Sequence, residues 1–305
     1  MTVVEVSRIR KSYKGDHEVV KGVSFSVNSG EIFAFLGPNG AGKTTTLKMI
    51  TGLILPDSGT ISINGRNIKA GSAVLKELGS VLEGNRNLYW RMTSFENLVY
   101  FNVHKGTSLS EARTTAEELL VKFNLEEKRS VQVRNLSRGM QQKLSIAIAM
   151  AHKPKLLLLD EPTLGLDVQA TVEVISLMEQ LKDEGIAIVL TTHQLDVAQR
   201  LSDRIAIIEK GEIIKESDKD ALIEEFAQNA YQIDLMEVMS KEKAALLRQK
   251  CGAEVNEKSI KVVGGSSVLY EALALMQPDE IKQIERVELD LTQIFLRLTG
   301  DTVDV

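Results

Sequence analysis

Eight residues, Gly37-Pro38-Asn39-Gly40-Ala41-Gly42-Lys43-Thr44, have the spacing G-x-x-x-x-G-K-T. Glycines at this spacing let backbone N–H groups turn inward toward a polyphosphate. The N-terminus of a following helix adds a field that favours anions. Lys43 can reach the terminal phosphates and the Thr44 hydroxyl can ligate Mg²⁺, with Thr45 next to it at the start of the helix. The flanks are those such a loop needs. Ile32-Phe33-Ala34-Phe35-Leu36 is an uninterrupted apolar run suited to a strand buried on both faces, and Thr45 to Ile50 reads as a helix that closes before Gly52. The loop alone implies a nucleoside triphosphate.

A second constellation lies far along the chain. Lys155-Leu156-Leu157-Leu158-Leu159-Asp160-Glu161 is an apolar strand delivering two carboxylates. Parallel α/β sheets gather functional residues at the C-terminal ends of their strands. Asp160 there can hold Mg²⁺ through its water shell, and Glu161 can polarise the water that attacks a γ-phosphate. One β-α unit later Ile186-Ala187-Ile188-Val189-Leu190 runs into Thr191-Thr192-His193. The imidazole can donate to a γ-phosphate oxygen or orient the attacking water. Tyr13 precedes the turn at Gly15-Asp16, where its ring either stacks on an adenine or simply packs.

The elements that must position these groups follow from periodicity. Residues 2–10 and Val23-Ser24-Phe25-Ser26-Val27 alternate as strands, and Thr60 to Gly65 is a short strand ending in an Asn-Gly hairpin signal. From about residue 93 the period changes from 2 to 3.6. Thr93-x-x-Glu96 and Ser108-x-x-Glu111 open helices, and Leu136-Ser137 opens a third carrying Met140, Leu144, Ala147, Ile148 and Ala151. The α/β pattern returns with the strand before Asp160, a helix over 168–182, the strand before His193, and a hairpin around Lys210-Gly211. Near Asp218 the character shifts. Strands over 230–235, 260–263 and 284–289 alternate with helices capped by Ser240 and Asp290 and one over 267–277, a βαβαβα tail without a catalytic constellation.

At 305 residues and 43% hydrophobic the chain is long enough for two domains with sizeable cores. A net charge of -5 argues against a general nucleic-acid binder. Cys251 is the single cysteine, which excludes an internal disulfide and a cysteine metal cluster and fits a reducing compartment. No window reaches the ~18 apolar residues of a membrane span, and the first residues read as a strand and not as a signal peptide.

Taken in order, Gly37–Thr44, Leu136-Ser137-Arg138-Gly139-Met140, Leu156–Pro162, Leu166-Asp167 and His193 resemble the Walker A, signature, Walker B, D-loop and H-loop of an ABC-transporter ATPase subunit. The signature, followed by Gln141 and Gln142, is the discriminating part. The resemblance covers roughly residues 2–217. It implies an α/β P-loop NTPase fold of the ABC ATPase type: a mixed sheet core, N-terminal antiparallel strands and an inserted helical subdomain at about 84–151. The ATPase domain would span 1–218 and a small C-terminal α/β accessory domain 219–305, serving dimer stabilisation or regulation. It also implies ATP and Mg²⁺ and a head-to-tail pair of ATPase subunits, as a homodimer or with a related subunit. Ser137, Arg138 and Gly139 of one subunit would then face, in trans, the ATP held by Walker A of the other, and Asp167 would be the contact between the sites. Glu161 and His193 become catalytic and Tyr13 the adenine-stacking residue.

Three departures from the family pattern stand out. Arg138 replaces the first glycine of Leu-Ser-Gly-Gly-Gln, and Met140 replaces its glutamine. Glu83 stands where the family has the Q-loop glutamine, so a carboxylate is expected at the Mg²⁺.

The expected function is ATP hydrolysis driving a separate transmembrane permease, with the subunit cytoplasmic and peripheral on the inner face of the membrane and no nucleic acid as partner. Tyr89, Trp90 and Arg91 are candidates for the permease contact, with packing inside the helical block as the other reading of Trp90. That stretch and the tail over 291–300 resemble bacterial multidrug or antibiotic exporters. An importer subunit and a ribosome- or DNA-associated ABC ATPase are the alternatives. The latter usually carry two cassettes or a long coiled coil, and this chain has one Walker A and no sustained heptads. Glu161 and His193 argue against a protein that binds ATP and seldom hydrolyses it.

Overall fold

Alternating residues at the N-terminus form β1 (Thr2–Tyr13) and β2 (His17–Asn28), and the first continuous apolar run forms β3 (Ile32–Leu36). This computed structural model describes residues 1–13, 17–68, 73–82, 88–226, 230–264, 266–287 and 291–299. The chain divides into two compact units, Met1–Lys219 and Asp220–Val305.

In the first unit α1 (Lys43–Ile50) follows the glycine loop, then β4 (Ser58–Ile63), β5 (Arg66–Asn67) and β6 (Leu78–Val81). The hairpin between β4 and β5 turns at Asn64 (φ 47°) and Gly65 (φ 72°), the pair of left-handed residues a two-residue turn demands. Three helices come next: α2 (Ser94–His104), α3 (Leu109–Lys122) and α4 (Arg138–Met150). Thr93 and Glu96 close a reciprocal capping box at α2, and Ser108 caps α3 by accepting from Glu111 N. Each such cap contributes ~1 kcal/mol. The α/β pattern resumes with β7 (Leu156–Asp160), α5 (Val168–Asp183), β8 (Ala187–Thr192), α6 (Leu195–Leu201), β9 (Arg204–Glu209) and β10 (Glu212–Asp218).

Strands β2-β1-β4-β5 make an antiparallel sheet, and a six-stranded sheet runs β10-β9-β3-β8-β7-β6. The latter is parallel except for β10, which pairs antiparallel with β9. Every residue of β3, and Leu156 to Leu159 of β7, is fully buried, as expected for strands covered on both faces. Phe25 stacks on Phe33 with ring centroids 5.0 Å apart, and Phe35 meets Phe25 edge-on at 4.8 Å, so the two sheets share one core. Truncating Phe33 or Phe35 would cost about 3–5 kcal/mol.

The strand order is what positions the site. β8 lies between β3 and β7, so the C-terminal ends of the three are adjacent. The register pairs Leu36 with Thr192 and Asp160 with Thr191.

The second unit is reached through α7 (Lys219–Phe226). Its order is β11 (Ala230–Leu235), α8 (Lys241–Cys251), β12 (Glu254–Val255), β13 (Ser259–Val263), α9 (Ser266–Met276), β14 (Ile281–Val287) and α10 (Leu291–Thr299). The antiparallel sheet order β12-β13-β11-β14 makes β11 to β14 a split βαβ arrangement of the ferredoxin type. Ile233, Leu235, Ile260 and Val262 point from the sheet into a core with Leu247, Ala272 and Met276. Ser240 caps α8, and Gly252 (φ 60°) ends it. The two-residue β12 is an element the hydrophobic pattern did not signal, and β14 begins three residues before the expected strand. The expected Asp290 cap of the last helix lies outside the described residues.

Candidate active site

The glycine loop leaves β3 under tight steric control. A side chain at Gly37 would put its Cβ 2.3 Å from the Ile208 carbonyl, and Gly42 (φ 102°) would put one 2.7 Å from that of Val19. Neither position can carry a larger residue. Gly40 (φ 85°) has nothing within 4 Å of a notional Cβ and borders open space. Lys43 is buried, and its Nζ donates to the carbonyls of Gly37 (2.5 Å) and Pro38 (3.2 Å). A buried ammonium at the start of a helix, held by loop carbonyls, is suited to meet an anion.

Across β8, Asp160 is only 4% exposed. Its Oδ1 accepts from Thr44 Oγ1 at 3.1 Å and from Thr191 Oγ1 at 2.5 Å. Glu161 follows with φ 49°, a left-handed conformation uncommon for a residue with a side chain and costly to hold. Its N–H donates to Thr191, at 3.0 Å to the carbonyl and 3.2 Å to the hydroxyl. The strained residue is therefore pinned by the neighbouring strand. Glu161 Oε1 lies 2.9 Å from His193 Nδ1, while its Oε2 is buried without a partner. A buried carboxylate oxygen with an unused acceptor site invites a water or another donor. Behind this pair Thr163 Oγ1 donates to Gln194 Oε1 at 2.5 Å, tying the segment after Glu161 to the residue after His193.

Loop, carboxylate and imidazole surround one cavity of about 450 Å³, lined by residues 38–45 with Val19, Glu161, Leu164 and His193. Periodicity and motif spacing did not single out Val19, Leu164, Thr163, Thr191 or Gln194. Tyr13 is half-exposed at the end of β1 and is not among the residues lining the cavity. Glu83 lies outside the described residues.

The start of α4 is a separate exposed feature. Ser137 is its N-cap and accepts from Met140 N at 3.3 Å. Gly139 is buried against α5, where a Cβ would fall 2.6 Å from Ala170 Cβ. Gln141 Nε2 donates to the carbonyls of Val133 (3.2 Å) and Leu136 (3.0 Å), holding the turn before Ser137. Asp167 caps α5 by accepting from Ala170 N at 2.8 Å, a structural task beside any contact it makes in a pair. Arg138 Nη1 donates to the Gly165 carbonyl at 3.3 Å.

A family model described as ABC transporter matches residues 20–164. The linearmycin resistance ATP-binding protein LnrL of Bacillus subtilis (strain 168) is 33% identical over 99% of this chain and 99% of its own length. The chain belongs to the ABC transporter ATP-binding proteins. The Nod factor export ATP-binding protein I of Paraburkholderia xenovorans (strain LB400) is 36% identical, covering 97% of each chain. The daunorubicin/doxorubicin resistance ATP-binding protein DrrA of Streptomyces peucetius is 32% identical, over 99% of this chain and 93% of its own. These relatives span both units. Among solved structures, an ATP-binding subunit of an ABC transporter aligns at TM-score 0.65 with 34% identity, over 73% of this chain and 93% of that one. The dimeric post-hydrolysis state of an ATP-binding cassette bound to ADP and Pi aligns at TM-score 0.64 with 28% identity, over 71% of this chain and 98% of that one.

This ABC protein is therefore the ATP-binding, ATP-hydrolysing subunit of a transporter. ABC subunits of this kind pair with one another and work with a transmembrane permease. No helix among its described residues is long and apolar enough to cross a membrane itself.

Proposed function

We propose that this subunit drives export through a separate permease on the cytoplasmic face of the membrane, and that two copies, or a copy and a related subunit, close head to tail around ATP. The observation that carries the catalytic part is Glu161: strained, pinned by Thr191, touching His193, and left with one buried unpartnered oxygen beside the glycine-loop cavity. That oxygen is suited to accept a proton from the attacking water. His193 Nδ1 orients the carboxylate from its other side. The loop amides, Gly37 to Thr45 and Lys43 bind the phosphates, and Tyr13 takes the adenine. Ser137, Gly139 and the N-terminus of α4 approach the γ-phosphate from the other copy, and Asp167 lies at the contact between copies.

The donors around Thr44 fit Mg²⁺. A hydroxyl and a carboxylate already 3.1 Å apart are hard oxygen ligands, and such a site keeps water in the remaining positions. Bound there, Mg²⁺ would neutralise charge developing on the phosphates. Asp160 is oriented for this task by Thr191.

Export is supported by relatives named for Nod factor export and for drug resistance. Permease contact through Tyr89 and Trp90 is supported by their exposure and by Asn97, whose side chain bonds both backbone groups of Tyr89 and so fixes the turn. The permease sets the cargo. Glu161→Gln tests the catalytic assignment: the variant binds ATP as tightly as the parent and loses turnover by a factor of at least ~100. A variant that turns over at the parent rate removes Glu161 from the chemistry.

A further inference from the structure

Arg138 occupies a position where its charge works against its own helix. It is the first residue of α4, and the first turn carries no acidic residue. A cation at a helix N-terminus meets the positive end of the dipole. Its side chain is instead engaged elsewhere. Nη1 donates to the Gly165 carbonyl at 3.3 Å, across 27 positions of sequence. The guanidinium lies so close over that residue that a Cβ at Gly165 would sit 2.6 Å from Nη1, and Gly165 itself has φ 70°. The glycine is needed for its backbone conformation, and the tip of the arginine occupies the space beside it.

Gly165 belongs to a tightly wound segment. Leu164 N donates to Glu161 O and Leu166 N to Thr163 O, each at 3.2 Å, and Asp167 then caps α5. A second contact runs alongside the arginine, the close approach of Gly139 to Ala170. Two adjacent residues of α4, Arg138 and Gly139, therefore grip the stretch that begins at Glu161 and ends in α5.

We propose that Arg138 is a positioning residue that joins the two ATP sites of a closed pair. This rests on the head-to-tail reading above. In that arrangement Ser137 meets the nucleotide held by the other copy, while Glu161 acts on the nucleotide of its own. Arg138, the residue after Ser137, bonds to a turn four residues after Glu161. Engagement of Ser137 by one nucleotide is then transmitted to the carboxylate that hydrolyses the other. Coupling needs such a physical link between elements that both sites bias.

The test uses the full chain, comparing parent, Arg138→Ala and Arg138→Lys in ATPase assays across a range of ATP concentrations. Loss of one link in a coupled network changes rates by roughly 2- to 30-fold. In Arg138→Ala, kcat falls within that range and the Hill coefficient drops toward one, while KM stays within about twofold. Arg138→Lys recovers part of both, because an ammonium can still reach the carbonyl. A raised KM at unchanged kcat would make Arg138 a direct phosphate ligand and overturn the proposal, and so would unchanged kinetics. Melting temperatures of both variants are measured beside the parent, and a loss of kcat that Lys does not recover and that follows a lowered melting temperature counts against positioning. ATP-dependent pairing of Glu161→Gln, with and without Arg138→Ala, separates the two layers of the argument. If neither pairs, the head-to-tail reading and the coupling fall together. If both pair and Arg138→Ala leaves the kinetics untouched, only the role of Arg138 falls.

Discussion

Replacing Thr191 by valine removes one hydroxyl from the centre of the site and leaves the side-chain shape nearly unchanged. Thr191 is fully buried in β8. Its Oγ1 donates to Asp160 Oδ1 at 2.5 Å and accepts from Glu161 N, which keeps the Thr191 carbonyl as a second acceptor at 3.0 Å. The backbone bond is therefore retained, and the loss is a hydrogen bond to a buried carboxylate, about 1.5–3 kcal/mol. An added buried methyl offsets about 0.8 kcal/mol of this. The net destabilisation is about 1–2 kcal/mol. For a unit of this length that lowers the melting temperature by roughly 2–8 °C. Calorimetry without nucleotide reads it. Activity should suffer more than stability, because Asp160 Oδ1 then keeps the hydrogen bond from Thr44, the residue expected to turn toward Mg²⁺, and loses the one from the neighbouring strand. We expect kcat to fall by about tenfold or more. A variant that melts within about 1 °C of the parent and hydrolyses ATP at the parent rate would refute the claim that Thr191 holds the acidic strand end in place.

Other perturbations give separate readouts. Lys43→Ala should lower ATP affinity by at least ~100-fold while the fold persists, as checked by titration calorimetry and circular dichroism. Thr93→Ala should cost α2 about 1 kcal/mol, seen as earlier denaturant unfolding, because the capping box is lost. His152, whose Nε2 contacts the Leu78 carbonyl and whose ring faces Lys105, titrates below the ordinary histidine value of 6.5, chiefly through burial and then through the lysine charge. The folded state thus binds its proton less readily than the unfolded chain. The stability from the neutral ring is complete above about pH 6.5 and is lost as pH falls through the lowered value. Parent protein should lose stability on acidification more steeply than His152→Gln, and parallel pH profiles would contradict this.

The residues whose role is local are legible in the amino-acid sequence itself. The glycine loop announces itself because its geometry is written in consecutive residues, and the capping box of Thr93 and Glu96 spans a single turn. The apolar strands that end in Asp160 and Thr192 read clearly because parallel strands covered on both faces have no polar interruption. What the sequence conceals is produced by neighbours in space. Thr191 reaches Asp160 only because β8 is inserted between β3 and β7 and the register pairs those two residues. Thr163 and Gln194 meet across 31 positions, and Val19 enters the cavity from β2. Arg138 reads as a departure that faces the other subunit's ATP, and its bond to the Gly165 carbonyl shows only once the fold brings that glycine beside it. The short β12 goes unseen because two residues, one charged and one apolar, are too few to carry a period.

Everything proposed for the paired sites depends on each ATP being enclosed by a second subunit. The mass of the Glu161→Gln chain, by light scattering with and without ATP and Mg²⁺, decides this. One chain is expected without nucleotide and two with it, reverting when ATP is removed. A single-chain mass with ATP demonstrably bound would contradict the head-to-tail pair.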